Sequence, residues 1–180
     1  MSNFLKVITL LFFIAAFQGC IVFHTVSYEV KLNEDRTGTV NLLVNNIKSD
    51  ALNVSELEED KNQLFNFMWK SDDFIEQMKE EGKFITDRQL YIADDKLNGK
   101  LSFDFREIST VEGIQYQEPF YFLTLGLEDS IVSTNGEIIY SDNLKRIMWD
   151  STMTTLQFEM FSADVEVGSL VDLKKYLDNN

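Results

Sequence analysis

Hydrophobic and polar positions alternate with a period of two along much of this chain. Val26, Tyr28, Val30 and Leu32 alternate with Ser27, Glu29 and Lys31, the pattern of a half-buried strand. NEDRTG turns the chain, with Gly38 free to adopt a positive φ. Val40, Leu42 and Val44 then resume the alternation, so residues 26–45 read as a hairpin. After residue 84 the pattern returns. RQLYIA predicts a short strand, DDKLNG a turn at Asn98-Gly99, and KLSFDFR a strand with Leu101, Phe103 and Phe105 on one side. EISTVEGIQYQ reads as a short helical turn and loop. PFYFLTLGL is apolar on both faces, which predicts an interior strand opened by Pro119. DSIVSTN, EIIYSDN, KRIMWD and TTLQFEMF predict further strands, with turns at Asn135-Gly136 and Asp142-Asn143.

Between these blocks the period changes to that of a helix. Ser55 and Glu58 form an S-x-x-E capping box ahead of Leu57, Leu64, Phe65 and Met68, which share a helical face. Ser71-Asp72-Asp73 reads as a second helix start, with acids favourable to the helix dipole. Phe74, Ile75 and Met78 form its apolar stripe and Gly82 ends it. At the far end, Ser169 and Asp172 are expected to cap a last helix through Leu170, Leu173 and Leu177. The order, two strands, two helices, many strands and a helix, predicts an α+β fold. It is read as an antiparallel β-sheet with helices packed on one face, in a single domain over residues 20–180. No βαβ alternation points to a nucleotide-binding parallel sheet.

Composition sharpens this picture. The chain has 180 residues, 44% of them hydrophobic, with 15 Phe, which is a folding composition rather than a disordered one. The formal charge is −14, and the first 19 residues contribute only Lys6. A chain cleaved there would carry 15 positive and 30 negative side chains. Such a surface repels phosphate backbones and anionic lipid, so nucleic acid is not an expected partner. One Cys and one His leave no internal disulfide, no zinc site built on Cys pairs and no His-pair metal site. No metal or cofactor is expected.

The one cysteine, Cys20, closes the first apolar run. Behind Lys6, VITLLFFIAAF spans Val7 to Phe17, and Gln18-Gly19-Cys20 follows directly. Eleven apolar residues fit a signal h-region of roughly 7–15, whereas a spanning helix needs roughly 20. A small residue before Cys resembles a bacterial lipoprotein signal, in a relaxed form like those of Bacteroidetes lipoproteins. In that family the peptidase cuts before the cysteine, whose thiol then carries a diacylglycerol with palmitate-type chains. The resemblance implies removal of residues 1–19 and lipidation at Cys20. The expected location is the bacterial cell envelope, at the periplasmic face of the outer membrane. The apolar IVFHT after Cys20, without an acidic cluster, agrees with that face. Two alternatives stay open: an uncleaved anchor from Val7 to Phe23, and a plain secretory signal with a free thiol.

Catalytic chemistry finds little to build on. His24 sits beside the anchor with no partner identifiable in sequence. Glu56, Glu58, Glu59, Asp60, Asp72, Asp73, Asp94 and Asp95 cluster at helix starts and a turn, where capping and solvation account for them. Paired acids perform glycosidase chemistry when they face each other at about 5–10 Å. An envelope hydrolase using acids such as Asp94 and Asp104 is therefore the alternative to a non-catalytic domain. Asn53-Val54-Ser55 matches a glycosylation acceptor, a chance match in a bacterial lipoprotein. The surplus of large aromatics, Phe65, Phe67, Trp69, Tyr121, Phe122 and Trp149, reads as core. The other reading is an apolar groove for an acyl chain or hydrophobic peptide.

Two stretches carry a further resemblance. LNEDRTGTVNLLV, through Asp35, Thr37 and Gly38 with Arg36 departing, is similar to the opening hairpin of LppM-like bacterial lipoproteins. TNGEIIYSDNLKRIMWD, through Asn135, Gly136 and Trp149, is similar to that family's later Asn-Gly…Trp stretch. The resemblance covers about a sixth of the chain. It implies a lipid-anchored extracytoplasmic α+β domain without known enzyme chemistry, with lipid or glycolipid binding suggested for one member. The family's longer members have a C-terminal membrane segment, and this chain ends in YLDNN without one. The expected partners are the membrane through acylated Cys20, and an apolar ligand or envelope protein.

Overall fold

The computed structural model describes residues 21–161 and 170–179. The expected signal, Cys20 and Ser169 lie outside the described residues. Every strand pairing is antiparallel. The strands are β1 (Ile21–Val22), β2 (Thr25–Leu32), β3 (Gly38–Asn45), β4 (Lys48–Ser49), β5 (Lys83–Ala93), β6 (Lys96–Phe105), β7 (Gln115–Gln117), β8 (Phe120–Leu125), β9 (Ile131–Thr134), β10 (Glu137–Tyr140), β11 (Lys145–Asp150), β12 (Thr155–Phe161) and β13 (Val171–Asp172). They form a six-stranded sheet ordered β5-β6-β3-β2-β12-β9, a four-stranded sheet ordered β10-β11-β8-β7, and a small sheet ordered β1-β4-β13.

Register explains the layering. Leu156, Val30, Val40 and Phe103 lie opposite one another across β12, β2, β3 and β6, so their side chains share one face. Tyr121, Leu123, Ile147 and Trp149 from β8 and β11 close over that face and complete the main core. Farther along the same face, Val44, Leu90 and Leu97 pack with Ile47, Leu64, Phe65 and Leu173 in a second cluster. The helices come from α1 (Val54–Lys61), whose last turns widen into a π-helix (Asn62–Met68), and α2 (Asp72–Glu80). The fold is therefore mainly β. The expectation of helices as the layer on the sheet needs correction: a second sheet takes most of that role, and the helices cover one end. PFYFLTLGL is the reason. In β8 only Tyr121 and Leu123 are buried, while Phe120 is exposed. This interior strand has one inward face, as a sandwich requires.

Four local expectations move. The helix cap is Asn53 rather than Ser55: Asn53 Oδ1 accepts from Glu56 N at 3.0 Å, and Glu56 accepts from Asn53 Nδ2 at 2.7 Å and from Leu52 N at 2.8 Å. The capping box is thus N-x-x-E, two residues earlier. The β5–β6 turn is Asp94-Asp95, both at positive φ, and Asn98-Gly99 lies inside β6. Short acids tolerate that conformation in a two-residue hairpin. Asn98 is buried, holding Asn46 N at 2.9 Å and Lys96 O at 3.1 Å. The last helix is 3-10, Lys174–Asn179, and Asp172 Oδ1 accepts from Lys174 N at 3.0 Å. Ser71 caps α2 as expected, accepting from Asp73 N at 3.0 Å.

Asn135-Gly136 is the fourth. It does not close a hairpin, because β9 and β10 belong to different sheets. Asn135 Oδ1 accepts from Trp149 Nε1 and from Gln157 N, both at 2.8 Å, and Asn135 Nδ2 donates to Thr155 O at 2.9 Å. A Cβ on Gly136 would fall 2.7 Å from Trp149 Nε1. One amide therefore fastens the two sheets. Asn135→Ala should leave the buried Trp149 indole N–H without its partner, at about 1–3 kcal/mol, whereas water can reach the exposed Gln157 N. Urea unfolding of the variant beside the parent measures that loss, and an unchanged midpoint would refute it.

Candidate functional site

The strand alternation that buries one face of the large sheet presents the other to solvent. Ser27, Glu29, Asn41, Ser102, Gln157 and Lys100 project there from β2, β3, β6 and β12. They form a hydrogen-bonded ladder. Ser102 Oγ donates to Asn41 Oδ1 at 2.9 Å, Asn41 Nδ2 to Glu29 Oε1 at 3.3 Å, and Gln157 Nε2 to Glu29 Oε2 at 3.2 Å. Lys31 lies 2.9 Å from Glu29. These donors, the Lys31 ammonium first, hold the Glu29 carboxyl below its usual range. Small Ser27 and Ser133 leave a shallow depression of about 390 Å³ beside Leu43 and Glu159. Its groups can exchange hydrogen bonds with a polar surface.

The other predicted residues are dispersed. His24 is exposed, edge-on to Phe161 with ring centres 5.2 Å apart. Asp94 and Asp95 form the β5–β6 turn, and Asp95 lies 2.6 Å from Lys174 Nζ. Asp104 projects from the other end of β6, roughly 25–30 Å away at ~3.3 Å per residue. Those two acids cannot flank one bond. Glu56 is the cap described above, Glu58 pairs with Lys61 at 2.7 Å, and Glu59, Asp72 and Asp73 are exposed. Among the described residues no group of three or more His, Cys, Asp or Glu is placed to hold a metal ion. Phe65, Tyr121 and Trp149 are buried, while Phe67, Trp69 and Phe122 are half-buried. Phe67 rests edge-on against Phe74 at 5.7 Å.

Asp60 is the exception among the acids. It is 2% exposed and accepts the Ser49 hydroxyl proton, while Ser49 Oγ accepts from Ala51 N at 3.0 Å. Burial pushes its carboxyl up, against the Ser49 hydrogen bond and with the help of Asp50 and Glu56. The group ties β4 to α1. Glu112 is a site that sequence reading missed. It lies in the loop after a 3-10 turn at Ile108–Thr110, at a φ of 50°. Its carboxylate meets the Tyr28 hydroxyl on the inner face. Burial raises both groups, with Lys83 opposing the rise at Glu112. Lys83 is itself buried, 3.1 Å from Glu81. A lone acid before Gly113 in a loop gives no sequence signal of that placement.

No family model, curated protein or solved structure matches the chain. The residues quoted for the LppM-like resemblance have local structural roles. Asp35 Oδ1 accepts from Thr37 N at 3.1 Å and from its hydroxyl at 2.6 Å, closing the β2–β3 turn. Asn135, Gly136 and Trp149 form the link between the sheets.

The raised Glu112 carboxyl has a definite pH signature. Its folded pKa exceeds its unfolded one, so the unfolded chain loses the proton first. The Glu112 contribution to stability is therefore fully present below the unfolded pKa of about 4.3 and is lost as pH rises through the folded value. Glu112→Gln keeps an acceptor for Tyr28 and removes the buried charge. It should flatten that decline, so that the melting temperature at pH 7 relative to pH 4 falls less than in the parent. Thermal melts across that range test it, and parallel profiles would exclude the assignment.

Proposed function

We propose that this chain is a lipid-anchored lipoprotein of the bacterial cell envelope, with Cys20 as its lipidation site. Its folded part is a non-catalytic domain that binds an envelope protein or an apolar ligand, or serves as a structural element. It resides at the periplasmic face of the outer membrane. The observation that carries the reading is the position of the one cysteine. It stands three positions after the end of an 11-residue apolar run behind Lys6, with Gln18-Gly19 between, and one residue before Ile21, which opens β1. A thiol at the junction between a leader and a domain serves attachment better than nucleophilic chemistry. Acyl chains supply roughly 0.8 kcal/mol per buried methylene, and two chains anchor stably where one does not. This suits an acidic domain that has no electrostatic affinity for an anionic surface.

The non-catalytic reading is favoured by the separation of Asp94 from Asp104 along β6. Among the described residues no helix is long and apolar enough to cross a membrane. Attachment in this reading is covalent.

Intact mass and membrane partitioning of the native protein beside Cys20→Ala test the proposal. The expected result is loss of residues 1–19, a mass gain matching acyl chains, and failure of the variant to acquire them. A protein that keeps residues 1–19 and a free thiol would refute the lipoprotein reading in favour of an uncleaved anchor. A cleaved, unacylated protein free in solution would refute it in favour of ordinary secretion.

A further inference from the structure

We propose that the corner Leu52-Asn53-Val54 is a second, non-covalent membrane contact, seated at the surface of the bilayer that holds Cys20. This rests on the lipoprotein reading. Leu52 is 89% exposed and Val54 75%, the two highest values among the large apolar side chains of the described residues. Helix capping does not account for them. An apolar residue just before an N-cap commonly packs against the fourth helical residue. Here that residue, Leu57, packs into the second core cluster, while Leu52 points to solvent.

The corner is rigid. Glu56 holds Leu52 N and the Asn53 amide, Asn53 holds Glu56 N, and Ser49 Oγ holds Ala51 N. Ser49 is in turn fixed by buried Asp60. A pre-shaped apolar corner loses little freedom on entering an interface.

Its position names the occupant. Ile21 is paired with Ser49, and consecutive Cα atoms lie 3.8 Å apart. Cys20 is one residue before Ile21, and Leu52 is three residues after Ser49. At roughly 3.3–3.6 Å per residue, Leu52 lies within about 15–20 Å of the acylated cysteine. A bilayer holding the acyl chains is thus the nearest extended apolar phase. At the opposite end of β2, eight residues or roughly 25 Å away, the turn is polar: Asn33, Glu34, Asp35 and Arg36. The acids that follow the corner, Glu56, Glu58 and Glu59, make the contact apolar and shallow rather than electrostatic. It should therefore persist at high salt.

The test uses the full acylated protein in phosphatidylcholine–phosphatidylethanolamine vesicles. Acylation consumes the Cys20 thiol, so a polarity-sensitive thiol dye on Leu52→Cys reports one site. Glu34→Cys is the distal control. The proposal expects blue-shifted emission at position 52, quenching by nitroxide lipids, and iodide quenching several-fold weaker than at position 34. A position-52 dye as wet and iodide-accessible as the one at 34, on protein of acylated mass, would overturn the corner contact and leave the anchor standing. Protection from iodide without quenching by nitroxide lipids would place protein on the corner, which also overturns it. An unacylated mass would overturn the anchor reading and this proposal together. Val54→Cys repeats the measurement at a second site.

Discussion

A buried indole N–H needs a partner, and this requirement organises the joint between the two sheets. Trp149 is 1% exposed at the centre of the main core, where an orphaned donor would cost about 1–3 kcal/mol. Asn135 supplies the acceptor from outside the four-stranded sheet, and the same oxygen takes Gln157 N from the six-stranded one. The chain must therefore cross between sheets at Asn135, and the next residue must be glycine because Trp149 stands where a Cβ would go. The break between β9 and β10 follows from that. Two short edge strands on different sheets replace the hairpin that Asn-Gly alone would predict.

This explains which parts of the fold were legible. Alternation located β2, β3, β6, β11 and β12, because each is half-buried and period two survives in the side chains. The capping Ser71 and terminating Gly82 were legible because caps are local chemistry. Pairing was not. Whether NG closes a hairpin or bridges two sheets depends on a tryptophan 14 residues away. The choice between Asp94-Asp95 and Asn98-Gly99 as the turn depends on buried Asn98 reaching Asn46. Ser55 lost its cap to Asn53, whose partner Glu56 is equally local, so that miss is a choice between two adjacent capping boxes. The other two depend on contacts distant in sequence.

The candidate site divides along the same line. Sequence periodicity shows that Ser27, Glu29 and Lys31 face outward. It does not show that Asn41, Ser102 and Gln157 line up with Glu29 across three strands. Glu112 is the sharper case. Its left-handed backbone turns a half-buried acid towards Tyr28 and near the buried Lys83. A half-buried carboxyl next to a tyrosine and a lysine is a polar seam beside an otherwise apolar layer. Such seams favour one packing over others more than they add stability.

The net charge and the proposed anchor look opposed, since an acidic domain is repelled by anionic lipid. Screening limits that opposition. At physiological ionic strength a charge acts over about 8 Å, and β2 alone extends roughly 25 Å from the anchor end. Only charges at the β1–β4–β13 end would then feel a bilayer beside Cys20. There the acids are interspersed with cations: Lys48 lies opposite both Val22 and Asp172, Lys61 sits over Tyr176, and Lys174 pairs with Asp95 and Asp172. The distal-turn acids Glu34 and Asp35 lie beyond the screening distance, whereas Glu56, Glu58 and Glu59 beside the corner do not. In a chain tethered at Cys20, only the acids at that end would oppose the approach of the domain to its membrane. Charge segregation along the strand axis, rather than total charge, sets how such a domain stands on a lipid surface.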